Sequence, residues 1–226
     1  MIRYDNRDTG RSTTYPPGQP GYSLDDLPDD ARGVLDAYGI DKAHLIGMSL
    51  GGRIAQLAAL KYPRRVATIT LISSSFFGPD DPNLPPIDER VIAYHRSAQT
   101  LDWTDEAGIV DYSTDGWRLI SGAHPFDEKL IRTIAAREVK RSTNLLSMFN
   151  HALLTGGEQW YGRIGEIYVP ALVIHGTRDI VLQYAHGVAL TQAIRGAKLL
   201  TLSGSGHELH PYDWNVIVAA ILGHTA

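Results

Sequence analysis

The sequence contains no cysteine, and this absence excludes several kinds of chemistry. Without a thiol the chain forms no disulfide, binds no metal through thiolate ligands and uses no cysteine as a nucleophile. The absence is compatible with a reducing cytoplasm, although it does not by itself fix the redox compartment.

Long apolar runs and basic clusters are also missing. At the N-terminus, MIRYDNRDTGR, charges interrupt every apolar stretch, so the segment resembles neither a signal peptide nor a transit peptide. No apolar run reaches the roughly 20 residues of a membrane span. The short pairs Arg64-Arg65 and Lys140-Arg141 form no stripe that could neutralise a phosphate backbone. We therefore expect a soluble cytoplasmic protein that binds neither membrane nor nucleic acid.

What is present is typical of a globular protein. The chain has 226 residues, of which 43% are hydrophobic and 20% charged, with a formal net charge of -4. This length suits one sizeable core, with room for an insertion.

Two apolar patterns alternate along the chain. Short runs rich in Ile, Leu and Val indicate buried strands, and longer stretches with apolar residues at helical spacing indicate helices. The predicted strands are Ile2–Asp5, Ala43–Gly47, Val66–Ser73, Ala171–His175 and Lys198–Leu202. The predicted helices are one capped by Ser23 and reaching Tyr38, and those at about Leu50–Tyr62, Tyr184–Ile194 and Pro211–Leu222. This alternation predicts an α/β fold with a doubly wound, mainly parallel sheet, whose strands all end at one edge.

The alternation breaks between residues 78 and 169. We predict that residues 1–77 and 170–226 form the core and that residues 78–169 are a helical cap insertion, with helices at about Asp88–Gln99 and Glu128–Ser142. Such a cap would cover the sheet edge where ligands bind. Its aromatic residues would line that pocket or, alternatively, form the core of a small helical subdomain. They are Trp103, Tyr112, Trp117, Phe126, Phe149, Trp160 and Tyr161.

The segment Gly47-Met48-Ser49-Leu50-Gly51 fits the pattern G-x-S-x-G between a predicted strand and a predicted helix. A sharp strand-to-helix turn strains the backbone at the serine and requires small neighbours, which explains the flanking glycines. The turn projects the hydroxyl of Ser49 and leaves the N–H of Leu50 facing a developing oxyanion. The alternative is a glycine-rich turn with an N-capping serine.

Two later loops carry the acid and the base that a serine nucleophile needs. Asp179 follows the predicted strand ALVIH, and His207 follows KLLTL in the loop SGSGH. The chain order Ser, Asp, His is the one expected for this fold. Taken singly, Asp179 is as consistent with a turn residue and His207 with an ordinary loop histidine.

Other candidate acids and bases are placed less favourably. His210 directly precedes Pro211, which is typical of a helix start, and His175 lies within a strand end, which favours a packed histidine. After the strand Val66–Ser73 the first carboxylate is Asp80, too late for a residue at that strand end.

The strings IRYDNRDTGRS, HLIGMSLGG, VIHGTRD and SGSGHELH occur in this order. With them the chain resembles the α/β-hydrolase family, especially its bacterial esterases of the aclacinomycin methylesterase type. The resemblance implies a catalytic triad of Ser49, Asp179 and His207, no metal and no organic cofactor. It also implies a small-molecule substrate, a small ester carried on a bulky apolar group.

The resemblance begins at what corresponds to the fourth strand of such enzymes. It therefore implies an N-terminally shortened fold that lacks the loop with a His-Gly motif and its second oxyanion N–H donor, at a cost of about 10² to 10³ in rate. The expected sheet has either a gap or direct pairing between Ile2–Asp5 and Ala43–Gly47. Exposed strand edges would favour association of two copies of the chain.

Ester hydrolysis through an acyl-serine is the leading functional hypothesis. Two others stay open at this point, since a fold does not determine a function. One is a ligand-binding protein without catalysis, and the other is a cofactor-free enzyme of the perhydrolase or haloperoxidase kind.

Overall fold

A computed structural model describes residues 1–79 and 81–226. Its centre is a parallel four-stranded sheet with the order β1-β2-β3-β4. The strands are β1 Ala43–Met48, β2 Val66–Ile72, β3 Ala171–Gly176 and β4 Lys198–Leu202. Because all four run in the same direction, their carboxyl ends meet at one edge, as the sequence predicted.

Seven α-helices surround or connect these strands in the described residues. They are α1 Leu27–Ala37, α2 Leu50–Lys61, α3 Glu89–Ser97, α4 Glu106–Ile120, α5 Glu128–Arg141, α6 Tyr184–Ala193 and α7 Trp214–Thr225. Short 3₁₀ helices, including Leu24–Asp26, Leu146–Leu153 and Pro211–Asp213, complete the connections. None of the helices in the described part of the chain has the length and apolarity needed to cross a membrane.

The core lies on both faces of the sheet. On one face α2 and α6 pack against β2 and β3, with Ile69, Val173 and Leu190 fully buried. On the other face α7 packs through Ile217 against Ile174. This arrangement confirms the predicted doubly wound α/β architecture.

The predicted strand Ile2–Asp5 is wrong, because this segment makes no strand. An extended segment becomes a β-strand only where a neighbouring strand offers backbone N–H and C=O groups for hydrogen bonding. Instead, the carboxylate of Asp5 accepts two hydrogen bonds from the guanidinium of Arg141. Among the described residues, strand β1 therefore pairs only with β2, and Ile46 on it is 47% exposed. Association of two copies through this edge stays a prediction.

Helices α3, α4 and α5 lie between β2 and β3 in the chain. The predicted helices at residues 88–99 and 128–142 are confirmed as α3 and α5, whereas α4 is not among the helices predicted from the sequence. Two glycines and four β-branched residues weaken the helical propensity of α4. Its Gly116 is needed for packing, since a Cβ there would lie 2.2 Å from the hydroxyl of Tyr94 on α3.

Five of the seven aromatic residues singled out in residues 78–169 fall into two groups. Tyr112 stacks on Tyr94 at 4.4 Å between ring centroids, and Trp103 contacts both Tyr112 and Phe149 edge-on. This group forms a local core. Trp160 and Tyr161 instead join a second cluster that includes Leu24, Leu27, Ile54, Leu57, Phe77 and Leu50.

Candidate active site

Ser49 occupies the sharp turn between β1 and α2. Its backbone has φ 53° and ψ -117°, a strained conformation for a residue with a side chain. The Ser49 N–H donates to the carbonyl of Ile72 on β2 at 2.9 Å, which ties the turn to the sheet. A Cβ on Gly47 would lie 2.0 Å from the carbonyl oxygen of Gly51. The turn therefore requires glycine at position 47, as the G-x-S-x-G pattern predicted.

The residues that follow Ser49 begin α2. Leu50 is its first residue, and an N–H at that position has no acceptor within the helix. The carbonyl of Ser49 accepts hydrogen bonds from Gly52 N–H and from the hydroxyl of Ser74, both at 2.9 Å. These contacts fix the backbone at Ser49. The side-chain hydroxyl of Ser49 is half-buried and makes no hydrogen bond to any of residues 1–79 and 81–226.

Asp179 lies in the loop after β3 with its side chain fully buried. Its Oδ1 accepts the backbone N–H groups of Val181 and Leu182 at 2.8 and 2.9 Å. Burial by itself would raise the pKa of Asp179, but hydrogen bonds from His175, His207 and Leu182 outweigh it and lower the pKa well below the usual carboxyl range. Asp179 is thus a buried, permanently charged carboxylate at neutral pH.

His207 lies in the loop after β4, and its Nδ1 is 2.7 Å from Oδ2 of Asp179. Because an ionised carboxylate only accepts, Nδ1 carries the proton of this bond and Nε2 of the neutral ring is unprotonated. The backbone N–H of His207 donates to the carbonyl of Ile120 at 2.9 Å. This tautomer is the one that a general base requires.

The structure therefore brings Asp179 and His207 into direct contact. Ser49 lies at the same sheet edge, but no hydrogen bond joins its hydroxyl to His207 among the described atoms. Catalytic hydrogen bonds of this kind are often long without substrate and shorten when it binds.

His175, interpreted from the sequence as a packed histidine, also borders this site. It is fully buried at the end of β3, and its Nε2 lies 2.6 Å from the carbonyl of Leu182 and 3.5 Å from Oδ2 of Asp179. The ring therefore donates mainly to Leu182 and makes the weaker contact with Asp179. The only signal in the sequence was its spacing, four residues before Asp179.

The remaining candidates lie elsewhere or outside the described residues. His210 caps the 3₁₀ helix Pro211–Asp213 and contacts the carbonyl of Pro125 at 3.1 Å, so the prediction of a helix-start role is confirmed. Asp80 is outside the described residues. Within the described ranges, no three His, Asp or Glu side chains are grouped to hold a metal ion.

Comparisons with known proteins place the chain in a family. The family model described as alpha/beta hydrolase fold matches residues 1–213. Rhodomycin D methylesterase DauP of Streptomyces sp. (strain C5) is 30% identical over 241 aligned residues, which cover all of this chain and 80% of that relative.

Solved structures agree with the fold. An esterase (EaEST) from Exiguobacterium antarcticum has a TM-score of 0.76 at 20% identity, covering 98% of this chain and 79% of that one. A hydrolase from Pseudomonas aeruginosa PA01 has a TM-score of 0.64 at 28% identity, covering 98% and 78%. With a family model matched over residues 1–213 and the strand–turn–helix site in place, the chain belongs to the α/β-hydrolase family.

Proposed function

We propose that the protein is a serine esterase in which Ser49, His207 and Asp179 act as nucleophile, general base and orienting acid. The observation that carries the proposal is the 2.7 Å contact between His207 Nδ1 and the buried carboxylate of Asp179, which leaves Nε2 free to accept a proton. The strained turn at Ser49, at the same edge of the sheet, supplies the hydroxyl.

The reaction follows from these groups in two halves. His207 Nε2 removes the proton of Ser49 as its oxygen attacks the ester carbonyl, and the N–H of Leu50 stabilises the resulting oxyanion. Collapse of this intermediate expels the alcohol, which takes the proton from His207 and leaves an acyl-serine. Water then attacks the acyl group, again with His207 as base, releasing the acid and restoring Ser49.

Asp179 has two roles in this scheme. It holds the proton of His207 on Nδ1, and its negative charge stabilises the imidazolium that forms in each half-reaction. Its lowered pKa keeps it ionised throughout the neutral range, so these roles do not depend on pH there.

The region between β2 and β3 and the similarity to known esterases together support a substrate class. We propose that residues 78–169 are a cap over a core of residues 1–77 and 170–226, because Trp160 and Tyr161 share an apolar cluster with Leu50, next to Ser49. Similarity over the whole chain to rhodomycin D methylesterases favours a methyl or other small ester on a bulky apolar substrate. The reduced rate and the cytoplasmic location expected from the sequence stay predictions.

The direct test is Ser49→Ala. The variant should lose hydrolysis of short p-nitrophenyl esters and covalent labelling by a fluorophosphonate, because both need the Ser49 oxygen. Ser97→Ala, which removes an exposed hydroxyl from α3, should keep both. Equal labelling of wild type and Ser49→Ala would reject the assignment, whereas loss in Ser49→Ala alone would also exclude the non-catalytic alternative.

A further inference from the structure

The segment Ile120–Pro125, at the end of α4, runs against the loop Gly204–Glu208 that carries His207. We call the first segment the strap and the second the histidine loop. Two backbone hydrogen bonds join them, from Ala123 N–H to the carbonyl of Gly204 at 2.6 Å and from His207 N–H to the carbonyl of Ile120 at 2.9 Å. The backbone of His207 is therefore anchored to the strap.

The two segments lie as close as their backbones allow. A Cβ on Gly122 of the strap would lie 2.0 Å from the carbonyl oxygen of Gly204. A Cβ on Gly206 of the histidine loop would lie 2.2 Å from the carbonyl oxygen of Ile120. Glycine at both positions permits a contact that any side chain would prevent, and the contact leaves little room for the segments to slide.

Glu208, the residue after His207, provides the side-chain part of this contact. It is 7% exposed, and its Oε1 accepts a hydrogen bond from the Gly122 N–H at 2.8 Å. Its Oε2 lies 2.9 Å from the Ser121 hydroxyl, whose single proton it shares with the carbonyl of Trp117 at 2.8 Å. No Lys, Arg or His lies within ion-pair distance of this carboxylate in the described part of the chain. Burial of a charge without a counter-ion is unfavourable unless its oxygens are hydrogen-bonded, so the Glu208 carboxylate depends on the strap.

This arrangement complements the contact between His207 and Asp179. Asp179 holds only Nδ1, and a ring held by one atom can still tilt about that bond. The strap holds the other end of the residue, its backbone N–H. Together the two contacts determine where Nε2 points, and an error of about 1 Å in such a position can reduce the rate about 10²-fold.

We propose that Glu208 is a positioning residue, which fixes the strap to the histidine loop and thereby holds His207 in the orientation needed to deprotonate Ser49. The proposal rests on the proposed function for its kinetic consequence, but its structural claim, that Glu208 immobilises the His207 backbone, is independent of it. Glu208 itself does not touch the reacting atoms.

Three variants test the kinetic consequence. Glu208→Ala should lower kcat about 10- to 100-fold with KM changed less than about threefold, because substrate binding is retained while the base is misplaced. Ser121→Ala removes one of the two hydrogen bonds and should show a smaller loss. Glu208→Gln keeps an oxygen for the Gly122 N–H and should recover most of kcat. Glu166→Ala, which breaks only a surface ion pair with Arg163, should match wild type.

Rates are expressed per reactive site, counted with a fluorophosphonate, so that misfolded molecules do not enter kcat. If Glu208 and Ser121 served only stability, Glu208→Ala and Ser121→Ala would have lower melting temperatures but an unchanged kcat per reactive site. That result in both variants would overturn the proposal, and the milder Ser121→Ala covers the case in which Glu208→Ala does not fold.

Hydrogen–deuterium exchange tests the structural claim without any activity. The amides of Ala123 and His207 should exchange at least tenfold faster in Glu208→Ala and Ser121→Ala, while amides of β2 and β3 stay protected. Unchanged exchange at His207 would overturn the proposal even if the protein proves to be an esterase. Faster exchange in a protein that shows no labelling at Ser49 would instead retain the structural claim and reject the proposed function.

Discussion

The imidazole of His207 and the carboxylate of Asp179 form a 2.7 Å hydrogen bond between two side chains that are 9% and 0% exposed. Residues 28 positions apart in the chain meet because β3 and β4 are parallel neighbours whose following loops lie at one edge of the sheet. The contact fixes the tautomer of His207, and several measurable consequences depend on it.

The first prediction concerns Asp179→Asn. The amide of the new asparagine can donate to Nδ1 of His207. This favours the His207 tautomer with its proton on Nε2, and Nε2 can then no longer act as a base. We expect kcat for a p-nitrophenyl ester to fall about 10⁴-fold, as it does for the equivalent change in another serine hydrolase. The control is Asp36→Asn, which removes a surface ion-pair partner and should retain wild-type activity. A loss of less than about tenfold would contradict the role given to Asp179.

The second prediction concerns the pH dependence of stability. The pKa of Asp179 is lower in the folded protein than the ordinary carboxyl value of about 3.9 in the unfolded chain. Its ionised form therefore stabilises the fold above that ordinary value, and this stabilisation is lost as the pH falls towards the folded pKa. The free energies of unfolding of wild type and Asp179→Asn, measured in urea, should accordingly differ by a constant amount above about pH 5 and approach each other as the pH falls from about 5 to about 3. A constant difference over this range would be incompatible with a depressed pKa.

The third prediction compares two glycines of the same motif. Gly47→Ala places a methyl group 2.0 Å from a backbone oxygen, whereas a Cβ at Gly51 meets nothing within 4 Å. We expect Gly47→Ala to destabilise the protein by about 1–3 kcal/mol or more. Gly51→Ala, inside α2, should be neutral or stabilising by up to about 1 kcal/mol. Midpoints of urea unfolding measure both, and similar midpoints would show that the turn is less tightly packed than described.

The fourth prediction concerns Gln56, a fully buried amide on α2. Its Nε2 donates to the carbonyl of Ser75 at 2.9 Å, and its Oε1 accepts the N–H of Phe77 at 3.1 Å. Gln56→Leu leaves both backbone groups buried without partners and should cost about 2–4 kcal/mol in the free energy of unfolding. Gln192→Leu on the exposed side of α6 is the matched control and should change stability little. Equal unfolding free energies for the two variants would refute the assigned role of Gln56.

Local patterns in the sequence predicted much of the site. The turn at Ser49 could be predicted because its signals lie close together in the sequence. They are the glycine spacing, the preceding apolar run and the following helical pattern, all within about 15 residues. The positions of Asp179 and His207 at strand ends could be predicted for a similar reason, since each follows a short apolar run. The contact between them was an inference from parallel topology, which the structure confirms by geometry.

The sequence predicted less where structure depends on distant partners. Ile2–Asp5 has the composition of a strand but no ladder beside it, and helix α4 has weak propensity but gains stability by packing against α3 and α5. His175 looked like an ordinary core residue because its spacing from Asp179 does not by itself show that the two side chains lie 3.5 Å apart.

The sequence by itself determined the order of the four strands of the sheet and of most helices, the strained serine turn, and the acid and base proposed to serve it. These features depend on neighbouring residues and on the direction of the chain. Only the tertiary structure decided which buried groups support them. Glu208 and Gly122 are 86 residues apart, and their hydrogen bond exists because the end of α4 folds against the loop after β4. Contacts of that kind depend on how whole elements pack, and no short pattern of residues records them.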